Sequence, residues 1–479
     1  MKKLLVILLA ALMLFALVAC AAPANETPAD PPQPEDPADT PAQADGTDDP
    51  EDPEDPTDIT GEIVQLRFMD VIPNPARTEE FQRMINIFNA QPNGIEVTLE
   101  STPWDQAHQN LVILGAAGNM PDIFYMHPTW ISEFILAEWV LDITEYYENF
   151  KYKDILLPFV REVLIEYDQI STRGGVFGMP KGLTTHGMYV RTDWIEEAGM
   201  TLEDLETWDG IFRAAEALTD PAQGRFGFTM RGGRLGGEQM GMFVLSALGG
   251  RIFDENGVAQ FNTPEGIAAI QRFGDIYFNG WAPEDSVNWG FTETVQSFTT
   301  GVTGILNQTT GTVSAARDAM EDGTWTVLPF PRAANGNIYC KADAFLLAMG
   351  ANSPNSAEAF EFITFLISPE QNLSYGKVNS YIPVVEGAAD DPFFNEGVFS
   401  GFVRSMNDPN FVRQPFYGYF PEVSEFMEIV YDTEFQRFLL GMQTAEEFAN
   451  LISEWLTEHQ QAFMAENPDI AVPMPRGTN

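Results

Sequence analysis

Cysteine is nearly missing from this 479-residue chain: only Cys20 and Cys340 occur, and the four histidines, His108, His127, His186 and His459, are scattered. Two cysteines cannot build a disulfide framework or a cysteine-rich zinc site, so a hydrophobic core must carry the stability and no metal or cofactor is expected. Basic residues are scarce as well, with 25 Lys and Arg against 70 Asp and Glu and a formal net charge of −45. Nucleic acid and anionic membrane surfaces are poor partners for such a body. The chain also lacks a His-Glu-x-x-His helix and a Gly-x-Ser-x-Gly elbow, and "GGRLGG" at 232–237 lacks the Lys-Ser/Thr of a phosphate loop and reads as a turn. A secreted hydrolase is the rival class, but 57 acidic residues in 61–479 always offer some pair at a glycosidase spacing of about 5–10 Å. That signal discriminates nothing.

Long apolar runs are equally rare, and the most prominent, Leu4–Val18, follows Lys2 and Lys3. It is about fifteen residues long, short of the roughly 20 that a membrane span needs, and has the anatomy of an export signal. The run "LVAC" at 17–20 resembles the lipobox of bacterial lipoproteins, which implies a signal peptide over 1–19 and a lipid on Cys20. A lipidated Cys20 leaves Cys340 unpaired, and the expected role of Cys340 is that of a small buried hydrophobe. Residues 21–60 hold thirteen Asp or Glu, ten Pro and no Lys or Arg. Such a tract cannot bury enough apolar surface to fold, so 20–60 is expected to be an extended acidic tether.

From Gly61 the composition becomes globular. "EIVQLRFM" alternates as a strand does, Phe81, Met84, Ile85 and Phe88 recur at helical spacing, and "IEVTLES" alternates again. A helix follows Pro103, and "DIFYM" is a short apolar strand. The order β-α-β-α-β predicts an α/β fold with a mostly parallel sheet. Ligands collect at the carboxyl ends of such strands, which nominates the loops at 70–75, 101–104 and 127–130. Further on, "RFGFTM" reads as a strand, "EQMGMFVLSALGG" as a glycine-closed helix, "RIFDENGVAQFN" as a hairpin turning at Asn256-Gly257, and "WTVLPFP" and "ADAFLLAMG" as strands. Phe448, Leu451, Ile452 and Trp455 form a core stripe on a C-terminal helix.

Several stretches, in order, resemble the extracellular solute-binding proteins of bacterial ABC importers, in the branch of maltose- and oligosaccharide-binding proteins. They are "GNMPDIFYM", "GGVFGMPKG", "MYVRTDWIEEAGM", "TWDGIFRAAEALTD", "ALGGRIFDENGVAQFNTPEG", "SFTTGVTGIL", "VLPFPRAANG" and "FLISPEQNLSYGKVNSYIPV". The resemblance implies a two-lobed fold of the periplasmic-binding-protein type II, with a cleft between lobes joined by a multi-strand hinge. It places lobe one at 61–183 and 330–378, and lobe two at 184–329 and 379–479. It further implies a monomer at the outer face of the cell membrane that closes on a solute and delivers it to ABC permease subunits.

Sugar recognition needs flat aromatic faces and hydrogen-bonding groups. At the matching positions the chain offers Asp70, Trp104, His127 and Trp130 from lobe one. From lobe two come Glu238, Gln239, Trp289, Asn307, Tyr417 and Tyr419, with Asp343 opening an apolar strand and Tyr381 near a lobe crossing. Each has a plainer role open to it: Trp104 as a staple at a helix start, Trp130 as core, His127 as a turn residue, Asp70 and Glu238 as solvated acids. The chain departs from the maltose-binding pattern in having Asp70 alone after the first strand, Met126 where a tryptophan is expected, and no tryptophan after "GVTGIL". Its aromatic richness, with nine tryptophans, favours a carbohydrate over a polyamine, a peptide or another polar solute.

Overall fold

The computed structural model of the protein describes residues 62–161, 174–414 and 419–468. The signal segment, Cys20, the acidic tether and Tyr417 lie outside the described residues.

The chain opens as the alternation predicts. Strand β1 (Val64–Asp70) leads into helix α1 (Pro75–Asn89), then β2 (Ile95–Ser101), α2 (Trp104–Ala116) and β3 (Ile123–Met126). Asn74 accepts from the Arg77 N–H at 2.9 Å and Pro75 sits at the first helical position, so the α1 start is both capped and pre-set in φ. Phe81, Met84, Ile85 and Phe88 then fall on one face and are almost fully buried. Burying each such side chain contributes about 1.5–3 kcal/mol, which is what holds α1 on the sheet.

The sheet order is β2-β1-β3-β9-β4-β6-β5, with β7 also paired to β4. Here β4 is Met179–Arg191, β5 Phe226–Phe228, β6 Thr303–Thr309, β7 Trp325–Leu328, β8 Ile338–Cys340 and β9 Ala342–Met349. Strands β1, β2 and β3 run parallel, as do β5 and β6. The sheet as a whole is mixed, because β9 lies antiparallel between β3 and β4. Strand β4 is the long crossing element. Its first half pairs with β9 and its second half with β6 and β7, with an irregularity between Pro180 and Gly182.

Two hydrophobic cores lie on either side of this crossing. The first gathers α1, β1–β3, most of β9, and α3 (Ser356–Ile367 in chain order after β9) with Ile382–Phe402. The second gathers residues from Met188 to Val287 with Phe330, Ile338–Cys340, and the C-terminal helix Ala445–Glu466. The stretch 382–402, read from sequence as lobe two, thus packs in the first core, and Phe330 and 338–340, read as lobe one, pack in the second. Periodicity reports that a side chain is buried but not which core buries it.

Candidate ligand-binding cleft

The carboxyl ends of the strands bring together groups from both cores. On the first side, Trp104 begins α2 directly after β2, while His127 and Trp130 follow β3. Trp104 stacks on the fully buried Trp130 with centroids 5.4 Å apart and planes 20° from parallel. His127 meets the Trp104 ring edge-on at 5.3 Å and Phe345 of β9 at 5.2 Å. Its Nδ1 pairs with Thr129 Oγ1 at 2.7 Å in the turn 128–130. Burial, helped by nearby Lys341 and Arg234, pushes the His127 pKa down to about 3, so the ring is neutral.

The facing side comes from β4, β6, the start of β9 and the loop after β5. That loop carries Arg231 and Arg234 into the helix Gly236–Ala247, whose first turn bears Glu238 and Gln239. Lys341 Nζ bridges Glu238 and Asp343, the latter at 2.9 Å. Burial would raise the Glu238 carboxyl, but Lys341 and His186 outweigh it and hold the pKa below the usual value. His186 Nδ1 pairs with Asn307 Oδ1 at 2.8 Å, and burial pushes this histidine to about 4. Gln239 Nε2 donates to the Asn307 carbonyl at 2.9 Å.

Arg234 joins the two sides. Its guanidinium lies 4.6 Å over the Trp104 ring and donates to Glu428 at 2.8 Å, with Asp105 of α2 at 3.4 Å. Ser424 Oγ reaches the Thr129 carbonyl at 3.2 Å nearby.

Of the residues selected from sequence, Trp104, His127, Trp130, Glu238, Gln239, Asn307 and Asp343 thus fall in or beside one cluster. Trp289 is half-buried next to it, its carbonyl accepting from Gly233 N–H at 2.9 Å. Asp70 is elsewhere: it is fully buried and both its oxygens accept from Arg77 Nε at 2.9 Å. Arg77 also donates to Tyr375 and lies 4.5 Å from the Tyr125 ring, so the basic partner missing from the loop is supplied seven residues on, by the helix. Tyr381 tilts against Tyr375 at 5.8 Å and covers Gly182 of β4, on this same buried group. Tyr419 belongs to the second core, where its hydroxyl donates to Gln460 at 2.6 Å and its ring packs on Phe463. Both acids and tyrosines are common in loops, and only tertiary contacts distinguish a saturated one from a free one. Cys340 is fully buried and its thiol pushed up to about 12 by burial, as expected of a structural cysteine.

Sequence reasoning missed Arg231, Arg234, His186, Lys341 and Phe345. The signal for the two arginines was available: "GGRLGG" follows the carboxyl end of a strand, the place where the topology collects ligands, yet its glycines suggest only a turn. Lys341 and Asp343 stand as the two charges in the apolar run "IYCKADAFLL". A separate hollow lined by Glu203, Glu206, Phe330, Arg332 and Arg404 shares no residue with the cluster, and its Arg332 is already paired with Asp408.

The model of the bacterial extracellular solute-binding protein family matches residues 73–373. The chain belongs to this family. A maltotriose-binding protein of Pyrococcus abyssi is 24% identical over 346 residues, which is 69% of each chain. A mannitol-binding protein of Pseudomonas aeruginosa is 27% identical over 244 residues, 50% of this chain and 53% of that one. Among solved structures, a solute-binding protein of Thermotoga lettingae bound with α-D-tagatose superposes with a TM-score of 0.71 at 19% identity, covering 83% of this chain and 100% of that chain. The fold is therefore the two-lobed, type II arrangement of these solute-binding proteins, and the cluster lies where elements of its two cores meet.

Proposed function

We propose that this solute-binding protein captures a carbohydrate between its lobes and delivers it to ABC permease subunits, held at the outer face of the membrane by a lipid on Cys20. One observation supports the sugar reading: the half-buried Trp104, backed by the buried Trp130, follows the same strand ends as His127, while Lys341 bridging Glu238 and Asp343 supplies hydrogen-bonding groups in the same cluster. Relatives that bind maltotriose and mannitol support the same class. The lobes close by bending where β4 and β9 cross between them.

A thermal-shift screen of the full chain against monosaccharides, oligosaccharides, amino acids and polyamines tests this. A ligand at 100 times its dissociation constant adds about 2.7 kcal/mol of stability. The expected result is a shift with at least one saccharide, lost in Trp104→Ala. A shift with a polyamine and with no sugar would sink the carbohydrate reading.

A further inference from the structure

Arg231 is 7% exposed, and its buried Nε has no hydrogen-bond partner among the described residues. A guanidinium carries five donors in a rigid fork and keeps its charge, so burying one without an acceptor is expensive and rare. The carboxylates nearest to it are already engaged. Glu238 is held by Lys341, and Asp432 caps the helix Gly236–Ala247 by accepting from the Leu235 N–H at 2.6 Å and the Gly237 N–H at 3.2 Å. Arg231 follows the carboxyl end of β5 on the same loop as Arg234, which reaches Asp105 on the opposite side of the cleft. It therefore sits toward the gap between the lobes.

Two other buried atoms in the cluster are unmatched, Asn307 Nδ2 and Trp130 Nε1. Like Arg231 Nε, both are N–H donors. A neutral saccharide offers hydroxyls, which give as many hydrogen bonds as they take and bring no charge. A carboxylate offers two acceptor oxygens in the plane that an arginine fork matches.

We infer that the solute is an acidic saccharide, a uronate bound in this cluster whose carboxylate takes the Arg231 fork. This rests on the carbohydrate reading above and narrows it. Closing on the uronate supplies the missing acceptor for Arg231 and leaves the Lys341 bridge between Glu238 and Asp343 intact.

The test is calorimetric titration of the full chain with pairs differing only in oxidation at C6: galacturonate and galactose, glucuronate and glucose, and the corresponding homodisaccharides. Citrate and spermidine serve as controls. The expected result is that in at least one pair the acid binds about tenfold tighter or more. Arg231→Gln is expected to abolish that preference, the acid losing more affinity than its neutral counterpart, and Arg231→Lys, which keeps the charge but not the fork, to retain part of it. The wild-type comparison stands even if a variant fails to fold. Equal or tighter binding of the neutral sugars would overturn this inference and leave the carbohydrate reading standing. Binding of citrate alone would keep the carboxylate and defeat the sugar. Binding of spermidine alone, or of none of the acids, overturns the proposal.

Discussion

At the scale of single residues, His127 and His186 make the sharpest statement. Both are buried and neutral, with pKa values pushed down to about 3 and about 4. Unfolded histidines titrate near 6.5, so the stability linked to these two is present above that pH and lost as pH falls toward the folded values. Asp432 works in the opposite sense: burial raises its carboxyl to about 6, so its contribution is present below an ordinary aspartate pKa and lost as pH rises through about 6. Between pH 7 and pH 5 each histidine removes about 2 kcal/mol and Asp432 returns about 1, a net loss of roughly 2–3 kcal/mol. Thermal melts at the two pH values should show the midpoint falling at pH 5, with most of the fall removed in a His127→Gln, His186→Asn double variant. A midpoint that holds or rises at pH 5 would contradict the burial of both rings. The identity of the cleft residues was partly legible at this scale. Tryptophans and a histidine at strand ends announce themselves, whereas Asp70 looks available until the buried Arg77 is seen to occupy both its oxygens.

At the scale of elements, the loop from Thr229 to Gly236 matters most, because it delivers Arg231 and Arg234. It threads close against the segment at 287–289: a Cβ on Gly232 would lie 2.4 Å from the Val287 carbonyl oxygen, a backbone atom that cannot swing aside. Leu235, at the end of the loop, has φ of 63°, a left-handed conformation that is unfavourable for a side-chain-bearing residue by roughly 1–2 kcal/mol. The peptide N–H bonds to Asp432 hold it there. Gly232→Ala is therefore expected to lower stability by about 1–3 kcal/mol and, by displacing both arginines, to weaken solute binding in the same preparation. Denaturant unfolding and titration check it together; wild-type values in both would mean the loop is looser than its packing implies. The strands and helices β1-α1-β2-α2-β3 were readable because each buries one face and repeats with period 2 or 3.6. This loop was not, since glycine-rich sequence looks the same whether it makes an idle turn or a ligand-facing one.

At the scale of the whole molecule, contacts that span the cleft include Arg234 over Trp104, Arg234 with Asp105 and Ser424 with Thr129. Arg234 takes part in two of them, and its pair with the exposed Asp105 is weak in water. If the lobes bend about β4 and β9, Arg234→Ala should shift the solute-free protein toward an open form. Small-angle X-ray scattering would then register a larger radius of gyration that contracts when solute is added. An unchanged radius in the variant, with and without solute, would indicate that the lobes do not move. Gly182, where β4 is irregular, has no room for a side chain, since a Cβ would press within 2.9 Å of Tyr381.

The sequence alone determined that the chain is an α/β protein with a large hydrophobic core. The order of its first strands and helices, and the strand ends at which ligand contacts collect, were likewise local properties: composition, periodicity and turn chemistry are encoded by neighbours along the chain. The resemblance of its motifs to the solute-binding family agreed with the family match at 73–373. The tertiary structure alone decided which groups face one another. It bound Asp70 to Arg77, buried Tyr419 against Gln460, set Lys341 between Glu238 and Asp343, and left the buried Arg231 Nε without an acceptor. Those outcomes depend on residues tens to hundreds of positions apart. Whether a buried charge is satisfied is a property of the space around it, which no local pattern records.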